Sequence, residues 1–402
     1  MWKKRTAVFV SSQTVSLFGS ALVQYALFWY VTLETKSGIA MTVFIVCGFL
    51  PTFFLSPFGG VWADRYNRKK LIMFADGFIA AVTLILAAAF ISGGKGLVLV
   101  IIIAALRAVG TAIQGPAVGA ILPQLVPVEQ LTRVNGISQT IQAVITILAP
   151  VVSGALFSIY PLYVILFIDV ITAAAAILIL MFFLEFLPAK RESGKKKAGY
   201  FNDMKLGFIY IKEHPYLISF FTFFAVTLFL ITPAAMLSPL QVARSFGSDV
   251  WRLTAIEIAF SGGMLLGGFL ISLWGGFKNR MITIFVSTAF MAICSAGLGI
   301  ATSFTLYIVI MTILGITAPF FHTPSAVMIQ EHVEEKFLGR VFSVNTMLFT
   351  SVMPLGMLIY GPVAEKIRIE TIMIITGIVM LVFVAIAFMQ KQLIEAGRAV
   401  EC

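Results

Sequence analysis

Charged residues are scarce in this 402-residue sequence, at 11% of all residues, whereas hydrophobic residues make up 60%. Soluble domains carry about a quarter charged residues and are close to half apolar. A chain with so few charges cannot cover a surface that faces water. Together with a mean hydropathy of +1.01, this excludes a soluble globular protein and predicts that lipid is the solvent.

Cysteine and histidine are equally rare, with three residues of each type. Cys47, Cys294 and Cys402 lie far apart in sequence and fit neither a disulfide framework nor a metal site. The sequence also lacks a phosphate-binding Walker loop, a nucleophile elbow and a zinc-binding helix motif. We therefore expect a protein that is not an enzyme and that carries no metal and no cofactor.

Apolar stretches of about 20 residues, long enough to cross the hydrocarbon core, recur along the whole chain. Lys3, Lys4 and Arg5 precede a first stretch that is too long for a signal peptide, so we expect it to be a membrane span. The sequence predicts an all-α membrane protein with about twelve transmembrane helices. The predicted spans are 7–33, 39–62, 71–92, 97–122, 137–159, 162–187, 215–237, 251–274, 281–302, 304–329, 341–364 and 370–390.

The net charge of +10 is explained by where Lys and Arg lie among the loops. With the N-terminus in the cytoplasm, 21 of the 28 cations fall in inward-facing segments and 6 in outward-facing ones. Because Lys and Arg are enriched in cytoplasmic loops, we expect a multi-pass protein with both termini in the cytoplasm. The same distribution accounts for the basic charge without a nucleic-acid partner.

The longest polar stretch covers residues 188–214 and separates two groups of six spans. It predicts an N-terminal six-helix bundle over 1–187, a cytoplasmic linker, and a C-terminal six-helix bundle over 215–402. Within the linker, the spacing of apolar residues from Tyr200 to Glu213 suits an amphipathic helix on the inner membrane surface. An ordinary solvated linker is the alternative.

The two groups of spans resemble each other in sequence. Similar segments follow the fourth and tenth spans, and in them Arg133 and Arg340 are 207 residues apart, as are Leu131 and Leu338. Transporters use paired repeats of this kind to build a site near the bilayer midplane that opens to either side. The repeat therefore favours two pseudo-symmetric bundles.

The loop after the second span reads Gly60-Val61-Trp62-Ala63-Asp64-Arg65-Tyr66-Asn67-Arg68-Lys69-Lys70. We expect the glycine to allow close helix packing and the aspartate to accept hydrogen bonds at the start of the third span. The arginines can bridge to carboxylates or to helix C-termini. The loop resembles the signature of the major facilitator superfamily. The resemblance implies a cytoplasmic latch formed by Gly60, Asp64, Arg65, Arg68 and Lys69. The alternative is that the basic residues of the loop only set the membrane topology.

The fifth span contains Ala149-Pro150-Val151-Val152-Ser153-Gly154, where small residues flank a proline. Such a segment lets a helix bend and lets another helix pack closely on it. The segment resembles the antiporter motif of exporting members of the superfamily, with Ala149 and Ser153 in place of glycines. A generic kinked packing helix is the alternative to a functional role for Ala149, Pro150, Ser153 and Gly154.

Ionisable residues within spans need a partner, a wet cavity or a function, because a charge there costs at least about 2.5–3.5 kcal/mol. Arg107 resembles an arginine in the fourth span of other superfamily members, where that residue is associated with proton coupling. For Asp169 and Glu257 three roles stay open: a titrating proton site, a counter-ion for Arg107, or a ligand for a cationic substrate. Asp76 lies near the basic loop, and we expect it to pair with Arg65 or Arg68; a role in transport is the alternative.

Several polar and aromatic residues are candidates for lining a large amphiphilic cavity. Hydrogen bonding between helices is the alternative role for the glutamines among them. His322 lies within the tenth span, where we expect a satisfied hydrogen bond. The cavity candidates are Gln24, Tyr25, Trp29 and Gln114.

Within the superfamily, the sequence is most similar to bacterial macrolide-efflux-type exporters over nearly its whole length. The resemblance implies a monomer in the bacterial cytoplasmic membrane that exports an amphiphilic small molecule in exchange for protons. It also implies rocker-switch alternating access between the two bundles. The alternatives are a lipid, lysolipid or siderophore transporter of the same fold, or a facilitator without strict proton coupling.

Overall fold

The structure is a computed structural model that describes residues 2–94, 96–184 and 200–397. The first part of the predicted linker, residues 188–199 with Lys195, Lys196 and Lys197, lies outside the described residues, as does Cys402. The described part of the chain is helical and contains no strand. Its helices are α1 (Trp2–Thr35), α2 (Gly38–Arg65), α3 (Arg68–Ile91), α4 (Leu97–Leu125), α5 (Leu131–Ile159), α6 (Leu162–Phe183), α7 (Tyr200–Glu213), α8 (Pro215–Thr232), α9 (Ser238–Ser245), α10 (Val250–Trp274), α11 (Arg280–Ile300), α12 (Phe304–His332), α13 (Glu335–Lys366), α14 (Ile369–Phe388) and α15 (Lys391–Ala396).

Twelve helical stretches in the described residues are long and apolar enough to cross a membrane, which confirms the predicted all-α membrane fold. The observed helices extend beyond several of the predicted spans. Thus α5 begins at Leu131 rather than 137, and α13 begins at Glu335 rather than 341. Backbone hydrogen bonding continues into the polar residues at a helix end, whereas hydropathy marks only the apolar part.

The seventh span is longer than predicted and is not a regular helix. After α8, residues Pro233–Leu237 form a π-helical turn, and α9 then continues to Ser245. Proline lacks a backbone N–H, so the usual hydrogen bond to the residue four before it cannot form at Pro233. A π turn is a common way to accommodate such an interruption inside a helix.

The chain divides into two compact units. Unit 1 contains Met1–Thr35 and Val43–Lys196, and unit 2 contains Lys36–Thr42 and Lys197–Cys402. In unit 1, an apolar cluster fills the end of the bundle where α1 begins and α6 ends. Its most buried members include Phe9, Ala63, Ile72, Ala117 and Leu180.

Unit 2 contains a glycine seam between α10 and α12. A Cβ atom built on Gly263 or Gly267 would overlap the backbone of α12, and one built on Gly315 would overlap the backbone of α10. Small residues let two helices in a membrane approach until their backbones touch, which maximises van der Waals contact where the hydrophobic effect is absent. The seam thereby fixes α10 against α12.

The helix predicted from Tyr200 to Glu213 is present as α7, and it packs on α13 within unit 2. Gly207 allows the close approach, because a Cβ there would lie 2.9 Å from the carbonyl oxygen of Arg340. Beside it, the ring of Tyr210 stacks on Phe337 with centroids 4.5 Å apart. The C-terminal half of α7 is therefore a packed element of unit 2.

Candidate functional site

A buried ion pair joins Arg107 on α4 to Asp169 on α6. Asp169 is completely buried, and Arg107 is 6% exposed. The guanidinium Nη1 donates both to Asp169 Oδ2 and to the hydroxyl of Thr83 on α3. The same carboxylate accepts a hydrogen bond from Ser20 at 3.1 Å and one from Thr83 at 3.2 Å. Of the three roles left open for Asp169, this geometry is that of the counter-ion.

Asp76 on α3 is bound differently from the prediction, which paired it with Arg65 or Arg68. It is 1% exposed, and its Oδ1 accepts a hydrogen bond from Ser16 at 2.7 Å and one from Gln114 at 2.5 Å. The predicted pairing is wrong because Asp76 lies two helical turns inside the bundle, facing α1 and α4 rather than the basic loop.

These two networks lie on the same faces of their helices. Asp76 and Thr83 are seven residues apart on α3, and Arg107 and Gln114 are seven apart on α4. Seven residues make about two turns and a rise of about 10.5 Å. The core of unit 1 thus contains a polar ladder, which we define as Ser16, Ser20, Asp76, Thr83, Arg107, Gln114 and Asp169.

In the signature loop between α2 and α3, the structure corrects the packing role expected of Gly60 and shows an asparagine cap at the start of α3. The close helix approach is made by Gly59, where a Cβ would overlap the carbonyl oxygen of Ala112 on α4, whereas Gly60 has open space at its Cα. The N-terminal cap of α3 is Asn67, whose side chain accepts from the backbone N–H of Lys70 at 3.2 Å. Asp64 precedes that cap by three residues, and its side chain lies outside the described structure.

The cations of the loop contact helix C-termini. Arg68 Nε donates to the carbonyl oxygen of Ala63 at 2.9 Å, in the last turn of α2. Lys69 is 3% exposed, and its Nζ donates to the carbonyl oxygens of Leu184 at 2.6 Å and Met181 at 3.3 Å. Bridging to a carboxylate or a helix C-terminus is the role predicted for the two arginines. Arg65 is exposed, whereas the helix contacts of Lys69 were not predicted.

The corresponding loop of unit 2 keeps the helix cap and lacks the aspartate. Asn279 caps α11 by accepting from the backbone N–H of Met281 at 3.0 Å, as Asn67 caps α3. Its side-chain Nδ2 also donates to the carbonyl oxygen of Ile394 on α15 at 2.7 Å. The two loops therefore share an Asn–basic start to the following span.

The proline motif of the fifth span packs α5 on α1. Ala149 and Ser153 are fully buried, and Pro150 and Gly154 are buried beside them. The hydroxyl of Ser153 donates to the carbonyl oxygen of Leu22 at 2.9 Å. These residues form a helix interface, which fits the requirement for small side chains.

Two of the four predicted cavity residues are buried in unit 1. Trp29 is completely buried and Gln114 belongs to the polar ladder, so the prediction that both line a cavity is wrong. Helical periodicity cannot tell an inward face from a cavity face. Gln24 is exposed and Tyr25 is half-buried, as a cavity-lining position requires.

Exposed polar residues also form a stripe on α5. Gln139, Thr140 and Gln142 are exposed on unit 1 at positions well inside the span. Polar side chains at that depth avoid lipid and face protein or a water-filled cavity. Gln139 and Gln142 are three residues apart and therefore lie on the same side of the helix.

The repeat-related helix α13 carries a similar stripe in unit 2. Ser343, Thr346 and Thr350 are exposed, and each hydroxyl donates to a carbonyl oxygen four residues earlier. The backbone thus satisfies these hydroxyl donors. Each hydroxyl oxygen can still accept a hydrogen bond.

Glu257 on α10 is half-buried and forms no hydrogen bond or ion pair with the residues that the structure describes. His322 on α12 is exposed, and its ring packs on Phe349 with centroids 4.8 Å apart. His322 forms no side-chain hydrogen bond with the part of the chain that the structure describes, so the predicted bond is absent there. Among the described residues there is no group of three His, Cys, Asp or Glu side chains that could hold a metal ion.

Comparison with known families shows which protein family the chain belongs to. A family model described as Major Facilitator Superfamily matches residues 9–357 and 233–397. The chain belongs to the Major Facilitator Superfamily. It is therefore a multi-pass membrane transporter and not an enzyme.

Several individual members of the superfamily are similar to the chain in sequence. The chain is 30% identical to Macrolide efflux protein A of Streptococcus pyogenes over 379 residues, which are 94% of this chain and 93% of that protein. It is 32% identical to Macrolide efflux protein A of Enterococcus faecalis over 77% of this chain and 96% of the relative. The Staphyloferrin A transporter of Staphylococcus aureus is 27% identical over 39% of each chain.

Solved structures of the superfamily share the fold at low sequence identity. The nucleoside transporter NupG superposes with a TM-score of 0.70 at 16% identity, covering 96% of this chain and 98% of that one. A bacterial homologue of the human lysosomal transporter Spinster gives a TM-score of 0.70 at 16% identity and covers 99% of both chains.

Proposed function

We propose that this superfamily member exports an amphiphilic, macrolide-like compound across the bacterial cytoplasmic membrane in exchange for protons. The observation that carries the proposal is the similarity to Macrolide efflux protein A across nearly the whole chain. The exposed polar stripes on α5 and α13 supply a surface that suits such a compound, since each combines hydrogen-bonding groups with apolar neighbours.

Proton exchange needs a carboxyl group whose surroundings change during transport. Glu257 meets this requirement, because it lies within a span, is half-buried and has no partner among the described residues. A carboxylate at that depth is stabilised only by water, a proton or a bound cation. We therefore assign the primary proton-exchanging role to Glu257, and to Arg107 the role of ion-pair partner of Asp169.

The transport cycle that we propose is rocker-switch alternating access of the halves 1–187 and 215–402. Contacts of the loop residues Arg68 and Lys69 with helix C-termini stiffen the cytoplasmic end of unit 1. Both termini are proposed to lie in the cytoplasm, which agrees with the distribution of Lys and Arg. The transporter is proposed to act as a monomer.

The experiment that tests this function measures uptake of a radiolabelled macrolide into inverted vesicles. Vesicles with the transporter and an imposed proton gradient should accumulate the compound, and an uncoupler should abolish the accumulation. Vesicles without the transporter are the control. Accumulation that persists in the uncoupler would contradict proton antiport, and no accumulation of any macrolide would contradict the substrate class.

A siderophore is the second candidate substrate, because the Staphyloferrin A transporter matches part of the chain. Siderophores of the carboxylate type are anionic, whereas many macrolides carry an amine that is protonated at neutral pH. The same vesicles, supplied with an iron-free carboxylate siderophore, separate the two. Siderophore accumulation without macrolide accumulation would replace the first proposal by the second.

A further inference from the structure

The polar ladder contains one carboxyl group that no cation offsets. Asp169 is paired with Arg107, whereas Asp76 is bound only by the neutral donors Ser16 and Gln114. Both of these donors reach the same oxygen, Oδ1. The other oxygen, Oδ2, is buried and has no hydrogen-bond partner in the structure.

An ionised carboxylate cannot be stable in that environment. Each oxygen of a carboxylate needs donors when it is removed from water, and a buried charge needs a counter-ion as well. Oδ2 of Asp76 has neither. A protonated carboxyl group, in contrast, places an O–H on Oδ2 and leaves Oδ1 as the acceptor of two donors, which is the pattern observed.

The other charged groups around Asp76 do not neutralise it. On α3, Lys69 lies two turns away, and its ammonium donates to the carbonyl ends of α6. On α4 the only charged residue is Arg107, and on α6 it is Asp169; these two form their own pair. The charged residues of α1 lie near its two ends, and they are Lys3, Lys4, Arg5 and Glu34.

A proton on Oδ2 needs an acceptor, and the structure contains a candidate. Gln13 is 5% exposed, and neither its side-chain oxygen nor its side-chain nitrogen has a partner. It lies three residues before Ser16 on α1, so the two side chains are on the same face, about 4.5 Å apart along the helix axis. The buried amide oxygen of Gln13 is therefore the candidate acceptor for a proton on Oδ2 of Asp76.

We infer that Asp76 is a second proton-binding site of the transporter, carrying a proton on Oδ2 with Gln13 as its acceptor. Its place in transport rests on the proposed function, and its protonation does not. Loss of this proton would leave a buried, unpaired charge, so release requires the helices α1, α3 and α4 to separate and admit water. Proton release at Asp76 would thereby be tied to the opening of unit 1.

Infrared spectroscopy of the purified protein in lipid at neutral pH tests the protonation directly. Wild type should show the carbonyl-stretch band of a buried carboxylic acid, and Asp76→Asn should lose part of that band. Glu257→Gln is the matched control and should keep the part assigned to Asp76. A band that Asp76→Asn leaves unchanged would overturn the inference, whether or not the protein transports a macrolide.

A second variant keeps the inference testable if Asp76→Asn does not fold. Gln13→Leu removes the acceptor and should shift the acid band toward the position of a free carboxylic acid; an unshifted band overturns the assignment. In vesicles, a folded Asp76→Asn should lose gradient-driven export and retain downhill exchange of labelled substrate. Retention of full gradient-driven export would show that Asp76 is not required to couple export to the proton gradient.

Discussion

The ammonium nitrogen of Lys69 lies 2.6 Å from the carbonyl oxygen of Leu184, one residue beyond the end of α6. Helix C-termini leave four carbonyl groups without intrahelical partners and carry partial negative charge. Lys69 binds two of these carbonyls from the neighbouring helix α3. The signature loop is therefore joined to the last helix of the same bundle by a buried cation.

Replacing this cation should destabilise the protein. Lys69→Met leaves two buried carbonyl oxygens without their charged donor, and hydrogen bonds to charged groups contribute about 1.5–3 kcal/mol. We expect a clear fall in the melting temperature of the purified protein. Lys70→Met makes the same change of charge and size at an exposed neighbouring position. Equal melting temperatures for the two variants would contradict the capping role of Lys69.

The pair of Arg107 and Asp169 should show strong coupling in a double-mutant cycle. Arg107→Leu leaves a completely buried carboxylate without a counter-ion, which costs about 3–5 kcal/mol. The double variant Arg107→Leu/Asp169→Leu removes both charges and should recover part of that stability. Unfolding of each variant in a mild detergent measures the cycle.

A partly exposed pair in unit 2 provides the control for this cycle. Arg280 and Glu331 are 29% and 30% exposed and lie 2.5 Å apart. Because water screens such pairs, Arg280→Leu should cost only about 0–1 kcal/mol. A cost for Arg107→Leu no larger than that for Arg280→Leu would show that the buried pair is not needed for stability.

Adjacent glycines on α10 should respond differently to replacement by alanine. A Cβ at Gly267 would lie 2.9 Å from the backbone Cα of Ile316, whereas nothing lies within 4 Å of a Cβ at Gly268. Overpacking of this kind costs about 1–3 kcal/mol. We expect Gly267→Ala to lower the melting temperature and Gly268→Ala to leave it unchanged. Similar behaviour of both variants would contradict the seam between α10 and α12.

Glu257→Gln should uncouple export from the proton gradient. The substitution keeps the size and polarity of the side chain and removes the exchangeable proton, so gradient-driven uptake into inverted vesicles should fall to the level of empty vesicles. Glu395→Gln changes an exposed glutamate of α15 and should transport like wild type. Undiminished coupling in Glu257→Gln would exclude this residue as the proton carrier.

Much of the fold was predictable from the sequence because the bilayer imposes a fixed length on each span. The positions of Arg107, Asp169 and Glu257 within spans followed from the same reading. What hydropathy cannot provide is the direction in which a side chain points around its helix. That direction decided the partners of Asp76, which the sequence suggested were loop arginines, and the burial of Trp29.

The start of α3 is another place where the sequence does not show which of two neighbouring residues makes a contact. Asp64 and Asn67 are both chemically suited to cap α3, and only the backbone geometry shows that Asn67 does so. Gly59 and Gly60 are likewise adjacent, and one of them meets the backbone of α4. A one-residue difference rotates a side chain by about 100° in an α-helix, which is enough to exchange a packed face for an open one.

The ion pair of unit 1 also has a consequence for the order of synthesis. Arg107 is made 62 residues before Asp169, so its counter-ion does not exist when the fourth span is complete. At a translation rate of about 5–20 residues per second, that interval lasts about 3–12 s. During this time the guanidinium needs other hydrogen-bond partners. Ser20, Thr83 and water can provide them, or the insertion machinery can. Synthesis of the sixth span then completes the ion pair. We expect a chain truncated before that span to be recognised as misfolded by cellular quality control.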